Sequence, residues 1–107
     1  MSIVVALDQL TAALEPYPWG YLLTVGDNQR THTLAVPTEL RDGALVALGG
    51  RSSLANAAAR PHVTMLFPHP QPGGMSLIVD GVAAVDGDVL TVTPQHAILH
   101  RPAIQSP

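Results

Sequence analysis

Three short turn sequences divide much of the chain into segments too closely spaced for crossover helices. They are Asp27-Asn28-Gln29-Arg30, Arg41-Asp42-Gly43 and Asp86-Gly87-Asp88, each rich in residues that favour tight turns. Strands joined by so few residues pair antiparallel, because a parallel pair needs a much longer connection. The turns therefore predict a mainly β fold assembled from hairpins.

Six segments between these turns and other breaks have the apolar, β-branched composition of strands. In chain order the predicted strands span 20–26, 31–40, 43–48, 62–67, 76–85 and 89–93, the last resuming at 97–100. Pro37 cannot donate a ladder hydrogen bond, so it predicts an edge or a bulge within the second strand. Gly81 predicts a bulge or a close backbone contact within the fifth. Six short antiparallel strands tend to close into a barrel, which removes exposed edges.

Two short helices accompany the strands. The first is predicted over 5–15, where Leu7, Leu10 and Leu14 recur on one helical face and prolines follow. The second is predicted over 53–60, where alanines fill the helix and Pro61 ends it. The length of 107 residues fits a single domain, 1–107, with one core.

The stretch between the third strand and the second helix has the composition of an anion site. It reads Leu48-Gly49-Gly50-Arg51-Ser52-Ser53, and Ser52 or Ser53 is predicted to cap the helix. A helix N-terminus offers free N–H groups and partial positive charge, glycines allow close approach, and Arg51 can grip phosphate with paired donors. The stretch matches neither the Lys-Ser/Thr phosphate loop nor the three-glycine dinucleotide fingerprint. A capped helix with a solvated Arg51 and no ligand is the alternative interpretation.

Composition limits the classes of partner. The chain has 47% hydrophobic and 12% charged residues, a net charge of −3, and five Lys plus Arg in total, all of them arginine. A surface with few charges suggests that some apolar area lies in a subunit interface. Without a basic run, nucleic acid is not an expected partner. The absence of Cys excludes disulfides and thiolate chemistry.

No membrane partner is expected either. The apolar start 3–7 is too short for a signal-peptide core and no basic residue precedes it. No apolar run approaches the roughly 20 residues that span a bilayer. A cytoplasmic protein is the expectation.

The order of these elements resembles the split-barrel flavin-binding family related to pyridoxamine 5′-phosphate oxidase, over nearly the whole chain. The resemblance rests on five segments: Gly20 to Gly26, Arg30-Thr31-His32, Leu45 to Val63, Ile78 to Ala83, and Leu99-His100-Arg101-Pro102. The last segment is similar to small actinobacterial members. The resemblance implies a six-stranded antiparallel split barrel of the FMN-binding type, which dimerises.

The resemblance also implies a cofactor and a site. FMN, or in sister groups the deazaflavin coenzyme, is expected at the dimer interface of an oxidoreductase that acts on a small molecule. Family members commonly carry Ser-Arg-Lys at the start of the short helix, and this chain has Arg51-Ser52-Ser53 there, with the Arg one place early and no Lys. The expected cofactor-binding residues are Val36, Pro37, Thr38, Leu48, Gly49, Gly50, Arg51, Ser52, Ser53, and, from the partner subunit, His100 and Arg101.

Catalytic and metal-binding side chains are harder to assign. His96 and His100 are four residues apart, which places them on one face, but no carboxylate lies nearby in sequence, so no metal site is expected. His32 is expected to face the barrel interior or the cofactor, with a neutral, hydrogen-bonded core histidine as the favoured state. Asp80 is expected to point outward from a half-solvated strand. No residue is a convincing proton donor, so any catalysis would rest on the flavin ring.

Three functions remain open at this stage. The first is an FMN-dependent oxidoreductase, favoured by Gly49 to Ser53. The second is a reductase that uses the deazaflavin coenzyme on the same fold, although five arginines and no lysine suit its charged tail poorly. The third is a binding or scaffold dimer without cofactor, favoured by the missing Lys and by Pro37. Barrel folds host many functions, so the sequence names no substrate.

Overall fold

The computed structural model describes residues 2–103, which form one antiparallel sheet with short helices. The strands are β1 (Ser2–Val4), β2 (Gly20–Val25), β3 (Thr31–Val36), β4 (Glu39–Arg41), β5 (Ala44–Leu48), β6 (His62–Phe67), β7 (Ser76–Asp86) and β8 (Val89–His100). A 3-10 turn (Leu7–Gln9) leads into α1 (Leu10–Leu14), and α2 (Arg51–Ala59) lies between β5 and β6. No helix in this part of the chain is long and apolar enough to cross a membrane.

The sheet curls back on itself through its own chain. Its strand order is β3-β2-β6-β7-β8-β5-β4, and β1 pairs separately with β8. The two edge strands of the sheet, β3 and β4, are consecutive in the chain and are joined only by Pro37 and Thr38. This short connection brings the two edges of the sheet together. The predicted barrel is confirmed, with eight strands rather than six. The strand predicted over 31–40 is divided at Pro37 into β3 and β4, which are the edge strands of the sheet, so the expected edge at Pro37 is confirmed.

Long strands β7 and β8 bend where they pass from one half of the barrel to the other. Their register shifts between Asp80 and Gly81, which is the predicted bulge. A side chain at Gly81 would meet the Thr93 carbonyl oxygen at 2.4 Å, so only glycine allows this approach. On the far side of the bend, β1 pairs with the C-terminal end of β8, whereas β5 pairs with its N-terminal end. The two halves of the barrel thus share β7 and β8 but differ in their other strands.

The core lies inside the curled sheet. Alternate residues along the strands point inward, as a period of two requires. The largest fully buried side chains are Phe67, Leu10, Leu22, Leu45, Met65, Leu77 and Leu90. Leu10 comes from α1, whereas Ala57 and Ser53 are the buried residues of α2. Helix α2 packs against β2, β3 and β7, and this contact brings its start close to the β2–β3 turn.

Several predicted boundaries are wrong. The helix predicted over 5–15 is a 3-10 turn and a single five-residue helix, and residues 2–4 form an unpredicted strand. Leu7 is 44% exposed, so it does not share the buried face of Leu10. Helix α2 begins at Arg51 rather than Ser53 and ends one residue before Arg60. The sixth strand runs without interruption through Pro94.

Candidate functional site

Two glycines and a backbone cap begin α2. Gly50 is the N-cap, in an extended conformation, and no side chain caps the helix. The predicted cap by Ser52 or Ser53 is therefore wrong. Ser53 is fully buried and its hydroxyl donates to the Gly50 carbonyl oxygen at 2.9 Å. A Cβ on Gly49 would lie 2.5 Å from the Leu54 side chain, so a larger residue there would displace Leu54 from the end of β5.

The first turn of α2 presents backbone donors with no partner among the described residues. Its first backbone hydrogen bond runs from the Leu54 N–H to the Gly50 carbonyl oxygen, at 2.9 Å. The N–H groups of Arg51, Ser52 and Ser53 precede it and make no hydrogen bond within residues 2–103. Arg51 and Ser52 are both exposed. Three free donors, the helix dipole and the Arg51 guanidinium together favour a negatively charged ligand.

A cavity of about 460 Å³ lies between this helix and the turn that joins β2 to β3. Its lining residues are Gly26, Asp27, Asn28, Arg30, Thr31, His32, Ser52 and Asn56. We call it the α2 cavity. Of the expected cofactor residues, it contains Ser52. Arg30 also lines the cavity and supplies a cation in addition to the expected Arg51, although it was not among the expected site residues.

His32 lines the α2 cavity and carries a buried, unsatisfied polar atom. It lies on the inward side of β3, in register with the fully buried Thr24 of β2. Its Nδ1 atom is buried and has no hydrogen-bond partner among the described residues. The expectation of a hydrogen-bonded core histidine is therefore wrong. A buried polar atom without a partner costs stability.

Polar contacts hold the two walls of the α2 cavity together. The Asn56 side-chain amide donates to Thr24 Oγ1 at 3.2 Å. At the other end of α2, Arg60 donates from Nε to the Val25 carbonyl oxygen at 2.5 Å and forms an ion pair with Asp27 at 2.9 Å. Helix and turn are fixed relative to each other before any ligand binds, which lowers the cost of ordering the site.

Other expected residues line a second cavity, of about 350 Å³. We call it the hairpin cavity, because the β4–β5 hairpin forms most of its wall. Its lining residues are Pro18, Pro37, Thr38, Glu39, Arg41, Val46, Ala47, Leu48 and Val89. Val36 is buried in the core and does not line this cavity, but its carbonyl oxygen accepts a hydrogen bond from the Thr38 hydroxyl at 3.3 Å. Glu39 and Arg41 form an exposed ion pair of 2.6 Å at its rim.

The expected cofactor residues therefore do not share one cavity, and Val36, Gly49, Gly50, Arg51 and Ser53 line neither of the two. Leu48 lies in the hairpin cavity and Ser52 in the α2 cavity, four residues further along the chain. His100 and Arg101 lie at the other end of β8 from Val89, which pairs with Leu48. His100 Nδ1 lies 3.1 Å from the Ser2 hydroxyl oxygen. A single subunit does not bring these two residues to α2.

A polar group on the outside of the sheet was not predicted. Asp80 on β7 stands opposite His96 on β8 and Thr64 on β6. The Thr64 hydroxyl donates to Asp80 Oδ1 at 2.6 Å. Asp80 is exposed, as expected. It also lies opposite His96 across the strand pair, although no carboxylate is close to His96 in the sequence. Within residues 2–103 no cluster of three or more histidine and carboxylate groups is placed to bind a metal.

Comparison with known proteins gives relatives and a fold. No family model matches the chain. An uncharacterized protein of Mycobacterium bovis and one of Mycobacterium tuberculosis are each 44% identical over 116 residues, which covers 92% of this chain and 82% of each relative. The chain belongs to the family of these mycobacterial proteins.

Solved structures show the fold. A candidate pyridoxamine 5′-phosphate oxidase from Listeria innocua is 21% identical, with a TM-score of 0.71 over 87% of this chain and 96% of its own. An FAD-binding protein from Mycobacterium smegmatis is 19% identical, with a TM-score of 0.68 over 92% and 97%. An F420 reductase is 19% identical, with a TM-score of 0.66 over 79% and 93%. The chain therefore has the split-barrel fold of pyridoxamine 5′-phosphate oxidase-like proteins, as the resemblance implied.

Proposed function

We propose that this protein binds FMN and acts as a homodimeric flavin-dependent oxidoreductase on a small molecule. One observation supports the proposal above others. The α2 cavity is lined by Arg30 and by Ser52, and Ser52 belongs to the first turn of α2, whose leading N–H groups have no backbone partner among the described residues. A phosphate monoester carries several strong acceptor oxygens and negative charge, so it satisfies groups of this kind.

The residues at the start of α2 fit the phosphate end of the cofactor. Arg51 and Ser52 offer exposed backbone and side-chain donors, and Arg30 lies across the cavity. Ser53 acts indirectly, because its buried hydroxyl is engaged with the Gly50 carbonyl and so holds the N-cap in its extended conformation. The missing Lys of the family pattern is offset by Arg30, which supplies a cation from the opposite wall.

The hairpin cavity suits the ring end. Pro37, Leu48 and Val89 give it apolar walls, and Thr38 adds a polar edge. A flat aromatic ring needs an apolar slot with a few hydrogen-bonding groups. The segment from Leu48 to Ser52 runs from one cavity to the other, so one extended ligand would follow it.

FMN, when bound, supplies the hydride or electron transfer. The chain supplies binding, orientation and exclusion of water. Among the residues assigned to the two cavities, the arginines are permanently charged and donate no proton. His100 and Arg101 are assigned to the partner subunit's side of the site, which a dimer is needed to complete.

The deazaflavin coenzyme is the second candidate. The structural similarity to an F420 reductase favours it, since F420 is a deazaflavin. Its tail carries additional carboxylates beyond the phosphate. The α2 cavity already contains Asp27 on its wall, and five arginines are the only fixed side-chain cations of the chain. This charge distribution favours FMN.

The absorbance spectrum of the purified protein separates the alternatives, and a ligand pair tests the site. Apoprotein is titrated with FMN and with riboflavin, which is the same ring without phosphate. We expect FMN to bind at least tenfold more tightly, because only FMN engages the start of α2. Equal affinities would place the phosphate outside the α2 cavity. Tighter binding of the deazaflavin coenzyme than of FMN would support the second candidate, and no binding of either would support a scaffold.

A further inference from the structure

The residue that ends α2 holds the turn between β2 and β3 with its side chain. The Arg60 Nε atom donates to the Val25 carbonyl oxygen at 2.5 Å, and its Nη2 atom pairs with Asp27 Oδ1 at 2.9 Å. One planar guanidinium thus binds a backbone group of β2 and a side chain of the turn at the same time. We call these two contacts the Arg60 clasp.

The backbone on both sides of the Arg60 side chain is anchored to the rest of the protein. The Arg60 N–H donates to the Asn56 carbonyl oxygen in α2 at 2.8 Å. The next residue, Pro61, accepts at its carbonyl oxygen from the Ala83 N–H of β7 at 2.7 Å. The clasp therefore connects the turn to a fixed point in the barrel rather than to a loose helix end.

The turn itself has a conformation that needs support. Gln29 has a φ of 65°, in the left-handed region that residues other than glycine rarely adopt. Its N–H donates to the Gly26 carbonyl oxygen, and the Gly26 N–H donates to the Arg30 carbonyl oxygen, both at 2.9 Å. A backbone in such a conformation persists where surrounding contacts determine it. Gly26 lies between the two residues that the clasp holds, and it is hydrogen-bonded to Arg30.

Arg30 lines the α2 cavity, whereas Arg60 does not. Two nitrogens of the Arg60 guanidinium are already engaged, by Val25 and by Asp27. The ion pair alone contributes little, because the Asp27 side chain is 95% exposed and the pair is screened by solvent. The hydrogen bond to the β2 backbone is the contact that fixes where the turn lies. Fixing the turn before a ligand arrives lowers the cost of ordering Arg30 on binding.

We propose that Arg60 is a positioning residue for the phosphate end of the ligand, acting through Arg30. The inference rests on the proposed function, because it takes the α2 cavity as the phosphate site. Arg60 holds the β2–β3 turn against α2, and the turn holds Arg30 at the cavity wall. Removing the clasp should therefore weaken binding of a phosphorylated flavin and spare binding of the ring.

The test is a double-variant cycle with two ligands, read by flavin fluorescence. Arg60→Ala should weaken FMN binding roughly fivefold to tenfold and change riboflavin affinity by less than about twofold. Added to Arg30→Ala, the same substitution should change FMN affinity by less than about twofold, because no guanidinium is left to position. Arg60→Lys keeps the charge but not the planar fork, so it should recover part of the loss. If Arg60→Ala does not fold, Arg60→Lys in both backgrounds gives the same cycle with a smaller loss.

A second measurement follows the turn without any ligand. Amide hydrogen exchange of Gly26 and Gln29 should be faster in Arg60→Ala, whereas exchange in the β7–β8 hairpin should match the parent. Unchanged exchange at the turn would show that the clasp does not hold it, and would overturn the positioning role.

The ligand measurements separate this role from the proposed function. A parent that binds FMN and riboflavin equally would overturn the phosphate site and, with it, the role of Arg60. A parent that prefers FMN, with an Arg60→Ala variant that keeps the same preference, would overturn the positioning role alone. A loss of FMN affinity that persists in full without Arg30 would show that Arg60 acts through charge, on the phosphate or by neutralising Asp27, and would also overturn it.

Discussion

The side-chain amide of Asn56 in α2 donates to the hydroxyl of Thr24 in β2 at 3.2 Å. Thr24 is fully buried, whereas Asn56 is only half-buried at the edge of the α2 cavity. This is the polar contact between the body of α2 and the inward side of the barrel. The helix has two buried residues, Ser53 and Ala57, so little apolar burial holds it in place.

We expect Asn56→Ala to destabilise the protein by about 1–3 kcal/mol, because it leaves the buried Thr24 hydroxyl unpaired. Thr24→Val should cost about 1 kcal/mol or less, since Asn56 can turn toward water. The double variant should cost less than the sum of the two, because both changes remove one interaction. Urea unfolding of all four proteins measures the coupling. Strictly additive costs would show that the contact contributes nothing.

The strand pattern was predictable because its signals are local. Each of these signals depends only on residues a few positions away in the sequence: the turn residues, the alternation of buried and exposed side chains, and the missing N–H of Pro37. Strand β1 was missed because its apolar residues run into Leu7, Leu10 and Leu14, whose spacing favours a helix. Its conformation depends on pairing with the end of β8, nearly a hundred residues away.

The site was predictable only where one segment determines it. The two glycines and Arg51 mark the start of α2 in the sequence itself. The orientation of His32 toward that helix depends on how β3 packs, which no local pattern encodes. The same holds for Asp80. The register of the Asp86–Val89 pair, continued along β7 and β8, would place Asp80 opposite Gln95, but the bulge shifts it by one residue to lie opposite His96. Gly81 predicts where the bulge lies, but not that the extra residue belongs to β8.

Arg51→Ala should weaken FMN binding roughly tenfold to hundredfold and leave the fold intact. The guanidinium is exposed at the start of α2, and one charge-assisted contact contributes about 1.5–3 kcal/mol to binding. Riboflavin affinity should not change, since riboflavin lacks the phosphate. Arg51→Lys is the matched control, and it should recover part of the loss through charge alone. Flavin fluorescence measures each affinity. An equal loss for both ligands would show that Arg51 contacts the ring instead.

His32→Leu should raise stability and leave FMN affinity unchanged. The variant removes a buried nitrogen that has no partner among the described residues, so we expect its free energy of unfolding to rise by about 1 kcal/mol. FMN affinity should stay within about twofold, because the buried Nδ1 is not accessible to a ligand in the α2 cavity. Thermal melting with and without FMN measures both effects on one sample. Lower stability of the ligand-free variant would indicate that the imidazole already has a partner in the free protein.

Stability should fall at alkaline pH because of Tyr17. Burial raises the pKa of Tyr17 above its ordinary value of 10.0, and its hydroxyl donates to the Met75 carbonyl oxygen at 2.6 Å. The folded protein therefore holds the phenolic proton more tightly than the unfolded chain does. Its contribution is fully present below pH 10 and is lost as the pH rises through the folded pKa. Tyr17→Phe should lower stability at neutral pH by about 1 kcal/mol and reduce the alkaline decline.

His96→Asn and His100→Asn should slow flavin reoxidation by less than about tenfold. Both histidines are exposed on the outer face of β8, and neither lines the α2 cavity or the hairpin cavity. His96 faces Asp80, and His100 lies beside the Ser2 hydroxyl, so each has a structural partner. Neither contact requires a role in proton transfer.

Anaerobic reduction of the bound flavin, followed by mixing with small quinone or enone acceptors, measures the rate directly. Losing a general acid or base typically lowers a rate by 10²–10⁴-fold, whereas losing a positioning contact costs far less. His62→Asn, an exposed histidine on β6, is the matched control and should match the parent. A fall of more than a hundredfold for His96→Asn or His100→Asn, in a variant that still dimerises and still holds flavin, would identify that histidine as a proton donor. The partner subunit's side of the site would then take part in the chemistry rather than only in binding.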